Sequence, residues 1–156
     1  MYYPCLFVDY GTSTKYNDSW NTWGSYTVTR TRTDSYTLIE PDDRTTASFQ
    51  IKYINNLTNP KIIEFDCKQV GGATNSIIFQ LRGSNQSVIR QIALSSFSNL
   101  SLDTWYHWKV DLVSGKFTNV TTNQTVTFNT SGIMSFFFCI TANATHNLQY
   151  KNFVIY

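Results

Sequence analysis

Short strand-like runs, each closed off by turn-forming residues, fill nearly the whole chain and leave no stretch for a helix of useful length. Twelve runs are predicted as strands: 4–9, 25–30, 36–39, 47–54, 61–68, 77–82, 88–94, 106–113, 116–120, 125–128, 133–141 and 148–155. Between them, "PDDR", "NNLTNP", "QVGGATN", "GSNQS", "SG" and "TTNQ" supply the Gly, Asn, Asp and Pro that turns favour. Many short strands at such spacing argue for a β-sandwich or jelly roll. Composition agrees, because Thr, Tyr, Phe, Val and Ile suit a pleated, half-buried surface, while Ala/Leu/Glu/Lys-rich windows are missing. At 156 residues, without a linker or internal repeat, the expectation is one all-β domain over 1–156.

Charge excludes some partners. Asp, Glu, Lys and Arg make up 14% of the chain, against roughly 25% in an ordinary soluble domain. The net charge of +2 is spread out, and its tightest basic group, Arg30 and Arg32, is followed at once by Asp34. Nucleic-acid binders usually carry a basic stripe or a known motif, so nucleic acid is not an expected partner. No apolar run approaches the ~18–20 residues of a membrane span, and membrane insertion is not expected. "MYYPCLFVDYG" lacks the basic and apolar regions of a secretory signal.

Three cysteines, Cys5, Cys67 and Cys139, lie far apart and form no C-x-x-C pair. Cys67 and Cys139 fall inside strands, which reads as buried free thiols acting as small hydrophobes. One disulfide plus a leftover thiol is the alternative. Asn17, Asn56, Asn85, Asn99, Asn119, Asn123, Asn129 and Asn143 head eight N-x-S/T sequons, where chance in this composition gives roughly three. They are either glycan acceptors or turn chemistry. With the missing signal, they suggest a fragment of a longer extracellular, cell-surface or virion protein. Asp9, Asp18, Asp42 and Asp43 are candidate calcium donors. No compact D-x-D-x-D array is present, so structural Ca²⁺ is not indicated and no cofactor is expected.

"VDLVSGKFT" reads as a hairpin turning at Ser114-Gly115, and "NVTTNQTVTF" as the next. Several segments resemble concanavalin A-like jelly rolls. "KIIEFDCKQVGGATNSIIFQLRG" is similar to their paired inner strands, "DTWYHWKVDLVSGKFT" to a W-containing strand and hairpin, and "LQYKNFVIY" to the closing strand. "LFVDYGTSTKYNDSW" is similar to the first strand that pairs beside the last. The resemblance implies an antiparallel two-sheet sandwich. That superfamily includes lectins, carbohydrate-binding modules, glucanases, laminin G-like modules and viral tail domains, so fold alone selects no function. The Asn/Thr-rich style also resembles archaeal adhesin-like proteins and viral tail proteins.

Glucanases of this fold carry an E-x-D-x-E or E-x-D-x-x-E strand, because retaining hydrolysis needs two carboxyls about 5–5.5 Å apart. Glu64 and Asp66 supply the first half on one strand face, but Lys68 stands where the closer second Glu would fall. Glu40 is in another segment. The chain therefore reads as a non-enzyme with no catalytic residues.

Candidate ligand contacts come from aromatics beside polar groups. Alternation sends Tyr106, Trp108, Val110 and Leu112 toward the core and Trp105, His107, Lys109 and Asp111 outward. Trp105 and His107 suit a saccharide, whose apolar C–H faces stack on indoles while its hydroxyls take hydrogen bonds. Trp105 could equally cover a core edge. "NDSWNTWGSY" carries Trp20, Trp23 and Tyr26 in a loop, with one tryptophan expected buried and the other partly exposed. Arg90 either packs its stem at a strand end with its head in water or lines a polar groove with Gln80 and Arg82.

The resulting expectation is a non-catalytic module binding a cell-surface glycan or cell-wall polymer, within an adhesin or viral tail protein. The alternatives are a structural or oligomerising spacer of a fibre, where homo-oligomers form without a ligand, and a degenerate glycoside hydrolase.

Overall fold

A computed structural model of the chain describes residues 2–22, 28–42, 48–140 and 146–156. Within them run thirteen strands: β1 Phe7–Asp9, β2 Asn21–Thr22, β3 Val28–Arg32, β4 Thr37–Pro41, β5 Ser48–Tyr53, β6 Ile62–Val70, β7 Ile77–Arg82, β8 Val88–Ala93, β9 Tyr106–Asp111, β10 Lys116–Asn119, β11 Gln124–Thr127, β12 Ser135–Ile140 and β13 Asn147–Ile155. Each of the twelve predicted runs overlaps a strand among the described residues. The thirteenth, β2, is two exposed polar residues with no hydrophobic pattern to announce it.

The strands form two antiparallel sheets. The larger has eight strands in the order β11-β10-β9-β6-β13-β4-β3, with β1 also on β13; the smaller is β2-β5-β12-β7-β8. β13 serves two partners along one edge: its first half pairs with β4 and its second with β1, Phe7 opposite Ile155. The first strand thus lies beside the last, as the resemblance implied. β6 and β7 are not paired with each other; they lie in different sheets, and Gly71-Gly72 starts the crossing between them.

Between the sheets lies an aromatic core. Phe65 on β6 meets Phe79, Phe136, Phe138 and Phe153 at centroid distances of 5.3–5.7 Å. Such pairs contribute roughly 0.5–1.5 kcal/mol each beyond area burial. β12, "SFFFCI", is buried at every residue because β5 and β7 flank it. Its inward set is Phe136, Phe138 and Ile140; its outward set, Phe137 and Cys139, packs on Ile51 of β5 in a second cluster.

One buried polar hub sits inside. The Asp9 carboxylate accepts from Gly11 N at 2.8 Å, Trp20 Nε1 at 2.9 Å and the Tyr150 hydroxyl at 2.8 Å, with Arg32 at 3.2 Å. These donors answer the cost of burying a charge. Burial beside Asp9 pushes the Tyr150 phenol up, so it stays protonated and donates.

Six of the eight sequon asparagines take part in turn geometry. Asn85, Asn99 and Asn123 take positive φ, a conformation Asn tolerates better than other non-glycine residues. The side chains of Asn17, Asn119 and Asn129 accept from Ser19, Thr122 and Ser131 backbone N–H groups. Asn143 lies outside the described residues. The three cysteines are free, with Cys67 and Cys139 buried and Cys5 exposed. Among the described residues no helix is long and apolar enough to cross a membrane.

Candidate functional site

Strict alternation in β6 and β9 turns Ile63, Phe65, Cys67, Tyr106, Trp108 and Val110 inward and leaves a polar outer face on the larger sheet. Cross-strand register arranges that face in rows. His107 stands opposite Asp66, which stands opposite Lys151; Lys109 stands opposite Glu64, which stands opposite Val154. Lys68 stands opposite Gln149, and Trp105 immediately precedes β9 on the other side of Lys68.

The middle row is tied together. His107 Nδ1 lies 2.8 Å from Asp66 Oδ1, and the Asn152 amide donates to Asp66 Oδ2 at 2.8 Å. Asn152 reaches that position through a bulge in β13, where register shifts between Lys151 and Val154 and Asn152 takes φ 53°. Bulges re-aim side chains in this way. His107 Nε2 faces Glu64 at 3.9 Å, and the imidazole side chain is 38% exposed.

At one end of the face, Trp105 is half-buried beside Tyr36, with ring centroids 5.9 Å apart. Two ammonium groups lie over its indole: Lys151 Nζ 4.5 Å from the ring centroid and Lys68 Nζ at 5.3 Å. At the other end a cleft of about 320 Å³ is lined by Tyr2, Tyr3, Ile62, Glu64, Lys109 and Tyr156. Aromatic rings therefore flank a polar, hydrogen-bonding strip at both ends.

Among the described residues the other sequence candidates, Trp20, Arg82 and Arg90, do not join this face. Trp20 is 6% exposed and belongs to the core, packed on Phe7, Phe138, Tyr150 and Phe153. Its indole N–H is spent on Asp9, so it presents no stacking surface. Trp23 and Tyr26 lie outside the described residues. Arg82 lies on the smaller sheet, stacked over Phe137 at 4.5 Å and donating to Gln80. Arg90 pairs opposite the core residue Leu81, whereas Gln91 shares the side of Gln80 and accepts from it. The groove with Gln80 is thus formed by Gln91 and Arg82, not by Arg90. Phe137 at its centre is 0% exposed.

The calcium candidates are engaged elsewhere: Asp9 in its hub, Asp18 with Arg30 and Arg32, and Asp42 with Thr29. Asp43 lies outside the described residues. Among the described residues no group of three His, Cys, Asp or Glu is placed to hold a metal ion.

Solved structures share this architecture. The family 11 carbohydrate-binding module of a cellulosomal cellulase from Clostridium thermocellum superposes with a TM-score of 0.51 at 14% identity, covering 96% of this chain and 94% of that one. A family 29 carbohydrate-binding module gives 0.53 at 13%, covering 94% and 84%. A family 22 module of Clostridium thermocellum gives 0.52 at 10%, covering 96% and 90%. The fold is the jelly roll of carbohydrate-binding modules. The two-sheet antiparallel sandwich implied by the sequence is therefore the fold observed. No protein-family model and no curated protein sequence matches the chain.

Tyr36, Lys68, Lys151, Asp66 and Asn152 were not among the candidate contacts. Alternation alone puts Lys68 and Asp66 on the face of Glu64, so these two were within reach of sequence reasoning. Tyr36 and Lys151 come from distant strands, and Asn152 arrives only through the bulge.

Proposed function

We propose that this jelly roll is a non-catalytic recognition module that binds a saccharide on the outer face of its larger sheet. The observation that carries the reading is the half-buried Trp105 indole beside Tyr36 at the end of the Asp66–His107–Asn152 ladder. An aromatic face stacks on sugar C–H groups, and the ladder meets hydroxyls with donors and acceptors already oriented. Similarity in fold to carbohydrate-binding modules supports the same reading without selecting a ligand.

Hydrolysis is disfavoured because, of the carboxylates that could partner Glu64, Asp66 is engaged and Glu40 is remote. Asp66 is held by His107 and Asn152. Glu40 is hydrogen-bonded by Asn147, which pairs with Val70, six residues along β6 from Glu64. At ~3.3 Å per residue that is roughly 20 Å, well beyond the ~5–9.5 Å that glycosidase carboxyl pairs span.

In the proposed setting the module serves an extracellular attachment protein, an adhesin or a viral tail protein, and the saccharide is a host or cell-wall glycan. The Asn/Thr-rich sequence style supports that setting. The test is a glycan array carrying cell-surface and cell-wall polymers, probed with the purified chain and with Trp105→Ala. Specific binding that Trp105→Ala weakens at least tenfold is the expected result. A blank array with folded protein would overturn it.

A further inference from the structure

Resting on the saccharide reading, we infer that the Trp105 end of this face selects a sugar ring bearing an anionic substituent. Lys68 and Lys151 both place their ammonium groups over one indole, and neither has an ion-pair partner among the described residues. Lys151 stands directly opposite Asp66 in the sheet. That carboxylate is nonetheless occupied on one oxygen by His107 and on the other by Asn152. The bulge that delivers Asn152 thus leaves Lys151 free to lean over Trp105.

Two like charges beside one ring repel each other, and an anion placed between them relieves that repulsion while pairing with both. As the two flexible lysine heads swing from the ring to the anion, the indole they uncover accepts the apolar face of the sugar. A carboxylate or sulfate ester on a pyranose joins these two features in one residue; a neutral sugar uses only the second. The opposite end of the face holds Glu64 beside Lys109 and three tyrosines, a balanced set suited to hydroxyls. The ligand is therefore oriented, with its acidic ring at Trp105.

The experiment is calorimetric titration of the chain at low and at 0.5 M salt with four probes. These are a trigalacturonate, its carboxyl-reduced neutral counterpart, a sulfated oligosaccharide of similar length, and polyglutamate as a non-sugar polyanion. The expected result is binding of the uronate or the sulfated probe at least tenfold tighter than the neutral one. That advantage falls with salt and disappears in the Lys68→Gln/Lys151→Gln double variant, which melts like the parent. Whichever acidic probe binds tighter identifies the anionic group. Equal binding of the uronate, the sulfated probe and the neutral probe overturns the acidic assignment and leaves saccharide recognition standing. Polyglutamate binding as tightly as the acidic sugars also overturns it, as charge attraction alone. No binding of any saccharide overturns both readings together.

Discussion

The Asp66 carboxylate and the His107 imidazole meet at 2.8 Å across the β6–β9 pair, and Asn152 holds the second carboxylate oxygen. The pairing orients a ring whose other nitrogen faces Glu64. Asp66→Ala releases His107 and Asn152 together. For whichever saccharide the parent binds, affinity is expected to fall roughly three- to tenfold, the scale of one or two net hydrogen bonds. The melting temperature should fall only modestly, since Asp66 lies on the partly buried outer face and not in the core. Titration calorimetry beside a melting curve checks both, and unchanged affinity would remove the ladder from the site.

Trp20 behaves differently because it belongs to the core. Trp20→Ala opens a large cavity among Phe7, Phe138 and Phe153 and is expected to cost about 3–5 kcal/mol. Trp20→Phe keeps most of the volume but withdraws a donor from the buried Asp9, at a cost of about 1–3 kcal/mol. Urea unfolding measures these losses. Saccharide affinity of the folded Phe variant should match the parent; a selective loss of binding would return Trp20 to the ligand site.

His146 makes stability depend on pH. It is fully buried, with no hydrogen-bond partner for either ring nitrogen among the described residues, and Gly72 lies against it. Burial lowers its pKa to about 4, against roughly 6.5 in the unfolded chain. Between those values the unfolded chain binds a proton that the folded chain refuses. The contribution is complete above pH ~6.5 and shrinks as pH falls, by about 2 kcal/mol at pH 5. Urea midpoints at pH 7 and pH 5 should show this slope, and His146→Leu should flatten it. A parent and variant with the same slope would contradict the assignment.

The thiols should separate by accessibility. Burial pushes both Cys67 and Cys139 up, away from the reactive thiolate, while Cys5 is exposed. An aromatic disulfide reagent should modify one thiol in the native protein and all three in denaturant. Rapid native modification of a second thiol would place Cys67 or Cys139 outside the core.

Much of this was readable from period alone. In β9 the pattern of Tyr106, His107, Trp108 and Lys109 assigned each side chain to its face, because a strand offers only two sides and burial chooses between them. The same logic set Glu64 and Asp66 outward from Phe65. Sequence alone did not single out Trp20 in its polar stretch, because the acceptor that turns its indole inward, Asp9, lies eleven residues away on β1. Alternation placed Arg90 on the face of Ile92, and the register agrees by setting Arg90 opposite Leu81 and Ile92 opposite Phe79.

Local pattern thus determined the strands, the turns and the two faces, because backbone geometry and hydrophobic burial act over a few residues at a time. Which faces meet, and which charges stay unpaired, depended on strand order. Trp105, Lys68, Lys151 and Tyr36 come from four segments brought together by β6, β9, β13 and β4 lying near one another. The freedom of Lys151 hangs on a single bulged residue, Asn152, capturing the carboxylate opposite it. Those are non-local hydrogen-bonding choices, settled only when the sheet closes.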